Sequence, residues 1–195
     1  MLTGKPGHLA TVYDKAQIRK TLIDALLYLG LFLIFYIAFI KFEPYYLADA
    51  EKYGPIDSRV SDCEFFDAGY VYDAKHKLYK IPGYFQLFLP LDLAFPIVYT
   101  VMFLTILSVF KKKPFYKIAR YFIVTGMAFD YLENLTFSLY LKSSIELSSF
   151  VAFFTTVKTF LFVINGLGFL FGFIIVSLVA FKKQKTQPKQ LPGST

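Results

Sequence analysis

Four long apolar runs, at 21–41, 84–110, 119–141 and 147–181, divide the chain, with polar or basic connections between them. A helix rises about 1.5 Å per residue, so about 20 residues cross a hydrocarbon core about 30 Å thick. Each run reaches that length. Apolar residues fill nearly every face of these runs instead of recurring at the period of a half-wet helix, as expected for helices in lipid. The predicted fold is an all-α membrane protein, a four-transmembrane-helix bundle forming one integral membrane domain over residues 1–195. Residues 42–83 form the long loop between the first and second helices, and the basic tail 182–195 reads as disordered.

Within that loop, Gly69-Tyr70-Val71-Tyr72-Asp73 alternates, Ala74-Lys75-His76 is turn-like, and Lys77-Leu78-Tyr79-Lys80-Ile81 alternates again, which is the pattern of a small β-hairpin. Its tyrosines at 45, 46, 53, 70, 72 and 79 suit the headgroup level, where a ring is half buried and its hydroxyl wet. In the second run, Pro96 removes the hydrogen bond to the carbonyl of Asp92, so a kink is expected there. Before the fourth, Ser143 and Glu146 have the spacing of a capping box. Gly168-Phe169-Leu170-Phe171-Gly172 is a G-x-x-x-G that admits a closely packed helix, either within the chain near Gly126 or in a second molecule.

Composition agrees with the pattern. The hydrophobic fraction is 56%, with 24 Phe and no Trp, against about 45–50% in an ordinary soluble domain. The first run is about twice as long as a signal-peptide core, and Leu47-Ala48-Asp49-Ala50 lies well beyond it, so it reads as an uncleaved helix.

The net charge of +7 is not a nucleic-acid signal, because of where the cations sit. Lys111, Lys112, Lys113, Lys117 and Arg120 join the second and third runs; Lys182, Lys183, Lys185 and Lys189 follow the fourth; Lys15, Arg19 and Lys20 precede the first. Residues 41–83 carry six Lys/Arg against eight Asp/Glu. Basic residues concentrate at cytoplasmic flanks, so all three clusters put both termini in the cytoplasm of a plasma membrane or its equivalent. They also attract anionic headgroups of the bilayer, by about 1 kcal/mol per residue.

The candidate chemistry lies inside the membrane. Asp130, Glu133 and Asn134 share one face of the third helix at i, i+3 and i+4. A single Asp near mid-membrane costs about 2.5–3.5 kcal/mol to insert, so such residues face the bundle interior or a wet cavity. Asp92 with Tyr99, and Lys158 with Asn165, mark faces of the second and fourth helices that can meet them. Counted from the outer flanks, Asp92 and Lys158 lie at the depth of the cluster. Counted from the inner flanks they rise to the interface, where a lysine snorkels. If the groups converge, three carboxyls and one ammonium cannot all be charged cheaply, and a carboxyl that keeps its proton stands beside one that does not.

No metal or cofactor is expected. His8 and His76 lie outside the spans, and Cys63 is the one cysteine, which also excludes an intramolecular disulfide. Nor is there a glycine-rich phosphate loop, and the Asn134-Leu135-Thr136 sequon lies within a span. Three readings stay open: an accessory or scaffolding membrane protein whose polar cluster fixes helix register, an intramembrane acid–base enzyme acting on a lipid or isoprenoid-like ligand, and a subunit of a proton- or cation-coupled carrier.

Overall fold

A computed structural model describes residues 15–46, 71–72, 75 and 80–182. They form four long helices, with no strand among them: α1 (Lys15–Tyr46), α2 (Ile81–Phe110), α3 (Tyr116–Lys142) and α4 (Ser148–Lys182). Three contain segments long and apolar enough to cross a membrane: Gln17–Phe42, Ile81–Phe110 and Ser148–Ala180, with mean hydropathy 2.4, 2.2 and 2.4. At 27 residues, about 40 Å, α3 has the length but also carries Asp130 and Glu133.

The chain reverses at each connection. Phe39 meets Phe88, and Phe32 meets Phe95, so α1 and α2 run antiparallel. α3 packs on α2 and most closely on α4, while α1 packs on α2 and α4, leaving α1 and α3 at opposite corners. α1 turns Leu27, Ile34 and Ile37 outward, and α4 does the same with Phe160, Leu167, Phe171 and Leu178. These are surfaces for lipid.

Two apolar clusters stabilise the bundle, one towards each end. At one end Tyr84, Phe137, Tyr140, Leu141 and Val151 pack together, joined by Val71 from the long loop. At the other, Tyr99, Met102, Phe103, Leu107 and Ile123 pack with Phe32, Phe162 and Phe169. The second end carries exposed Lys111, Lys112 and Lys113 and is called the basic end below.

Of the three prolines of α2, Pro82 lies in its first turn, and the other two fall further along. Pro90 offers no N–H to the carbonyl of Gln86, and just before it, over Tyr84–Phe88, the helix widens to a π-turn in which Leu89 N–H donates to the Tyr84 carbonyl. Pro96 is buried inside the α-helical part, which continues through it to Leu107.

Several expectations need correction. Of the hairpin, the described residues are Val71, Tyr72, Lys75, Lys80 and Ile81; Val71 and Tyr72 are helical, and Lys75 lies in a π-turn. Tertiary packing overrides the alternation here: Val71 is buried in the Tyr84 cluster, and Lys75 Nζ donates to the Ser143 carbonyl at 2.7 Å while lying 4.2 Å over the Tyr140 ring. Residues 47–70, Cys63 included, and the hairpin's other residues lie outside the described residues, as does the tail 183–195.

The capping box does not form. Ser143 Oγ accepts from Ile145 N–H, and Glu146 Oε1 accepts from Ser148 N–H at 2.9 Å, so α4 starts two residues after Glu146. Hydrogen bonds from the Ser148 hydroxyl and backbone hold the Glu146 carboxyl below its ordinary range.

The G-x-x-x-G acts through one glycine. A Cβ on Gly172 would lie 2.7 Å from Ile106 Cγ2 and 3.4 Å from Phe110, so α4 meets the end of α2 there and not Gly126. Gly168 faces open space.

Candidate functional site

Between the two apolar clusters lies a polar layer, and α3 supplies most of it. Asp130, Glu133 and Asn134 are all buried, as their shared face requires, although α3 has an exposed side bearing Leu132, Leu135 and Leu139. Asp130 Oδ2 accepts from the Tyr99 hydroxyl of α2 at 2.9 Å. Glu133 turns to α4: Lys158 Nζ lies 2.5 Å from Oε2, and the Thr155 hydroxyl is 2.6 Å from Oε1. Lys158 is 9% exposed and paired with Glu133, so its ammonium stays beside the carboxylates.

Asn134 reaches α2 by a route that Pro96 creates. The carbonyl of Asp92 has lost its helical donor, and Asn134 Nδ2 donates to it at 3.3 Å. Three residues earlier on α3, the Tyr131 hydroxyl donates to the neighbouring Leu93 carbonyl at 2.9 Å. Two α3 side chains thus bond to successive carbonyls at the proline turn. The Asp92 side chain is half-buried.

A coupled pair of substitutions tests this bond. Asn134→Ala should cost about 0.6–1.7 kcal/mol, the range of hydrogen bonds between membrane helices. Pro96→Ala restores an N–H for the Asp92 carbonyl, so in that background Asn134→Ala should cost less. Equal costs in both backgrounds, measured by thermal unfolding in detergent, would mean that Asn134 does not serve the proline turn.

The geometry brings together most of the residues singled out from sequence. Asp130, Glu133, Asn134, Asp92, Tyr99 and Lys158 converge, whereas Asn165 does not join them. Two helical turns from Lys158 towards the basic end, its Nδ2 donates to the Phe122 carbonyl of α3 at 3.3 Å. Gly126 makes that approach possible, since its missing Cβ would sit 3.4 Å from the Asn165 amide. Asn165 is therefore a separate tie between α3 and α4.

Sequence reasoning missed two members. Thr155 is 1% exposed and lies three residues before Lys158, on the same helix face, which was a usable signal. Tyr131, next to Asp130, gave none, because it looks like any lipid-facing aromatic residue. Among the described residues no group of His, Cys, Asp and Glu is arranged to hold a metal ion. Comparison with protein-family models, with curated proteins and with solved structures finds no match for this chain.

Proposed function

We propose that this chain is an accessory or scaffolding protein of the cytoplasmic or an equivalent membrane, and that its intramembrane carboxylates hold helices in register instead of reacting. It crosses the membrane four times with both termini in the cytoplasm. α3 is then the fourth span, supported by its length, its position between α2 and α4, and its apolar outer side. The basic clusters support the orientation.

One observation carries the structural reading. Asp130, Tyr131, Glu133 and Asn134 each make a polar contact with a neighbouring helix, two to α2 backbone carbonyls and the others to Tyr99, Thr155 and Lys158. Backbone carbonyls and a lysine ion pair are tying partners. An enzyme's acid and base would be turned towards a substrate instead. The contacts also fix rotation and height, since slipping α3 by one residue would break all of them together.

An intramembrane acid–base enzyme is the second reading. The observation in its favour is that Asp130 with Tyr99 and Glu133 with Lys158 place two carboxyls, a phenol and an ammonium in one layer. The variant Asp130→Asn/Glu133→Gln/Lys158→Met separates the two, because it removes both carboxyls and the ammonium, leaving only the phenol of these four groups, while nearly keeping their shape. Expressed at wild-type membrane levels in cells that lack the native chain, it should restore the wild-type phenotype. General acid–base catalysis is worth about 10²–10⁴-fold, so an enzyme would lose at least about 100-fold of its activity. Such a loss in folded, membrane-inserted protein would overturn the structural reading.

A further inference from the structure

The basic end holds a feature that the polar layer does not explain. Between Asp92 and Asp130 the chain has no acidic residue, yet it carries Lys111, Lys112, Lys113, Lys117 and Arg120. All five are exposed. Lys111, Lys112 and Lys113 sit on a tightly built turn, and Lys117 and Arg120 on the start of α3. Lys113 N–H donates to the Phe110 carbonyl at 2.8 Å, Tyr116 N–H donates to the Lys113 carbonyl at 3.1 Å, and Phe110 and Phe115 pack with ring centroids 5.8 Å apart. Lys111–Lys113 are therefore held side by side at the mouth of the α2–α3 pair. Holding three like charges together is unfavourable unless something opposes them. Nothing in the first turn of α3 does: it has no acidic residue, and no side chain caps its N-terminus. Across the same end, α1 adds exposed Arg19 and Lys20, against one half-buried carboxylate, Asp24.

We infer that this turn is a binding surface for a lipid headgroup carrying two or more phosphate charges. This rests on the membrane reading of the chain and not on the role of the polar layer. Charge complementarity selects an anion, and the surroundings select a lipid. Phe115, Ile118 and Tyr121 are exposed among the cations, so the same surface offers apolar contacts at the depth where acyl chains begin. Three cations on one fixed turn, with two more on the start of the helix that follows it, favour a headgroup with clustered charge over the same charge spread among separate lipids.

The test uses the full chain in detergent and native mass spectrometry to count bound lipid. Cardiolipin, phosphatidylglycerol and phosphatidylcholine are titrated separately. Cardiolipin should bind at least about tenfold more tightly than phosphatidylglycerol. A lysine near the surface is worth roughly a fivefold factor, so Lys111→Gln/Lys112→Gln/Lys113→Gln should weaken cardiolipin binding on the order of 100-fold. The matching Arg triple variant should keep it. Lys182→Gln/Lys183→Gln/Lys185→Gln removes as much charge from the tail and should leave it unchanged. An equal loss in the tail variant, or no preference for cardiolipin over phosphatidylglycerol, would reduce the turn to diffuse surface charge. Displacement of cardiolipin by an equal concentration of inorganic pyrophosphate would make it a soluble-anion site and overturn the lipid assignment.

Discussion

Replacing Glu133 by Gln is expected to destabilise the protein by about 3–5 kcal/mol, and replacing Lys158 by Met at the same time to recover most of that loss. Glu133 Oε2 meets Lys158 Nζ while Oε1 meets the Thr155 hydroxyl. A glutamine in that place has one oxygen and one NH2. If the oxygen faces Thr155, the NH2 faces the ammonium, two donors opposed; if it turns round, the Thr155 hydroxyl must donate to the Val151 carbonyl and accept from the NH2 instead. Either way the ammonium is left without an anion in a buried layer. Its escape is to give up a proton, which from an ordinary lysine costs about 4.6 kcal/mol at pH 7 and so bounds the penalty. Lys158→Met alone should cost somewhat less, because an ordinary glutamate takes up a proton for about 3.7 kcal/mol at pH 7. The double variant has neither problem: Gln accepts from Thr155, and Met fills the space left by the lysine stem. Reversible unfolding in detergent gives all four corners of the cycle. Hydrogen bonds between membrane helices reach about 1.7 kcal/mol. A coupling below that value would make the pair an ordinary polar contact and not the chief tie of the layer.

The second large effect separates two glycines four residues apart. Gly172→Ala should destabilise the protein by about 1–3 kcal/mol, as overpacking does. Its new Cβ would lie 2.7 Å from Ile106 Cγ2, and a β-branched side chain in a helix has one strongly preferred rotamer, so it cannot swing aside. Phe110, at 3.4 Å, blocks the other direction. Gly168→Ala should instead stabilise by up to about 1 kcal/mol, since it meets nothing within 4 Å and gains the ordinary preference of a helix for Ala. Ile106→Ala should relieve most of the Gly172→Ala penalty by opening the space. If both glycine substitutions cost the same and Ile106→Ala brings no relief, α4 does not meet α2 at Gly172. Equal losses confined to self-association would instead make the motif a dimer contact.

The membrane-length apolar segments of α1, α2 and α4 were legible because uninterrupted hydrophobicity is a coarse signal that survives errors of several residues. So was the shared face of Asp130, Glu133 and Asn134, which follows from helical spacing alone, and so was the carbonyl of Asp92 freed by Pro96. What sequence did not reveal was which neighbour answers which group. The depth of Lys158 is the clearest case. α4 is 35 residues, about 52 Å, and a helix that much longer than the bilayer can be placed at several heights, so counting from its two ends gives different answers. Asn165 was grouped with Lys158 by its spacing, but Gly126 opens a nearer partner on α3. Thr155 was passed over because a threonine in an apolar helix ordinarily bonds its own backbone, and its hydroxyl does lie 2.9 Å from the Val151 carbonyl. The alternation around Val71 failed for a tertiary reason, as Val71 belongs to the Tyr84 cluster and to no sheet.

The central claim is that the polar layer is a sealed tie, and the most direct test is whether a thiol placed in it meets water. The Thr155 hydroxyl touches Glu133, and Thr155→Cys in a Cys63→Ser chain puts a thiol in its place at the loss of one methyl. The native chain, with Cys63 in the long loop, serves as the reference. A small thiol reagent that cannot cross membranes is applied to each side of right-side-out and inverted vesicles. The reaction needs a hydrated thiolate. Cys63 should react from the outside, as the basic flanks predict, and the Thr155→Cys chain should stay unmodified from either side until the protein is unfolded. Modification of the layer from one side would reveal a substrate pocket, modification from both would reveal a transport path, and either would contradict the proposal that these carboxylates only hold the helices together.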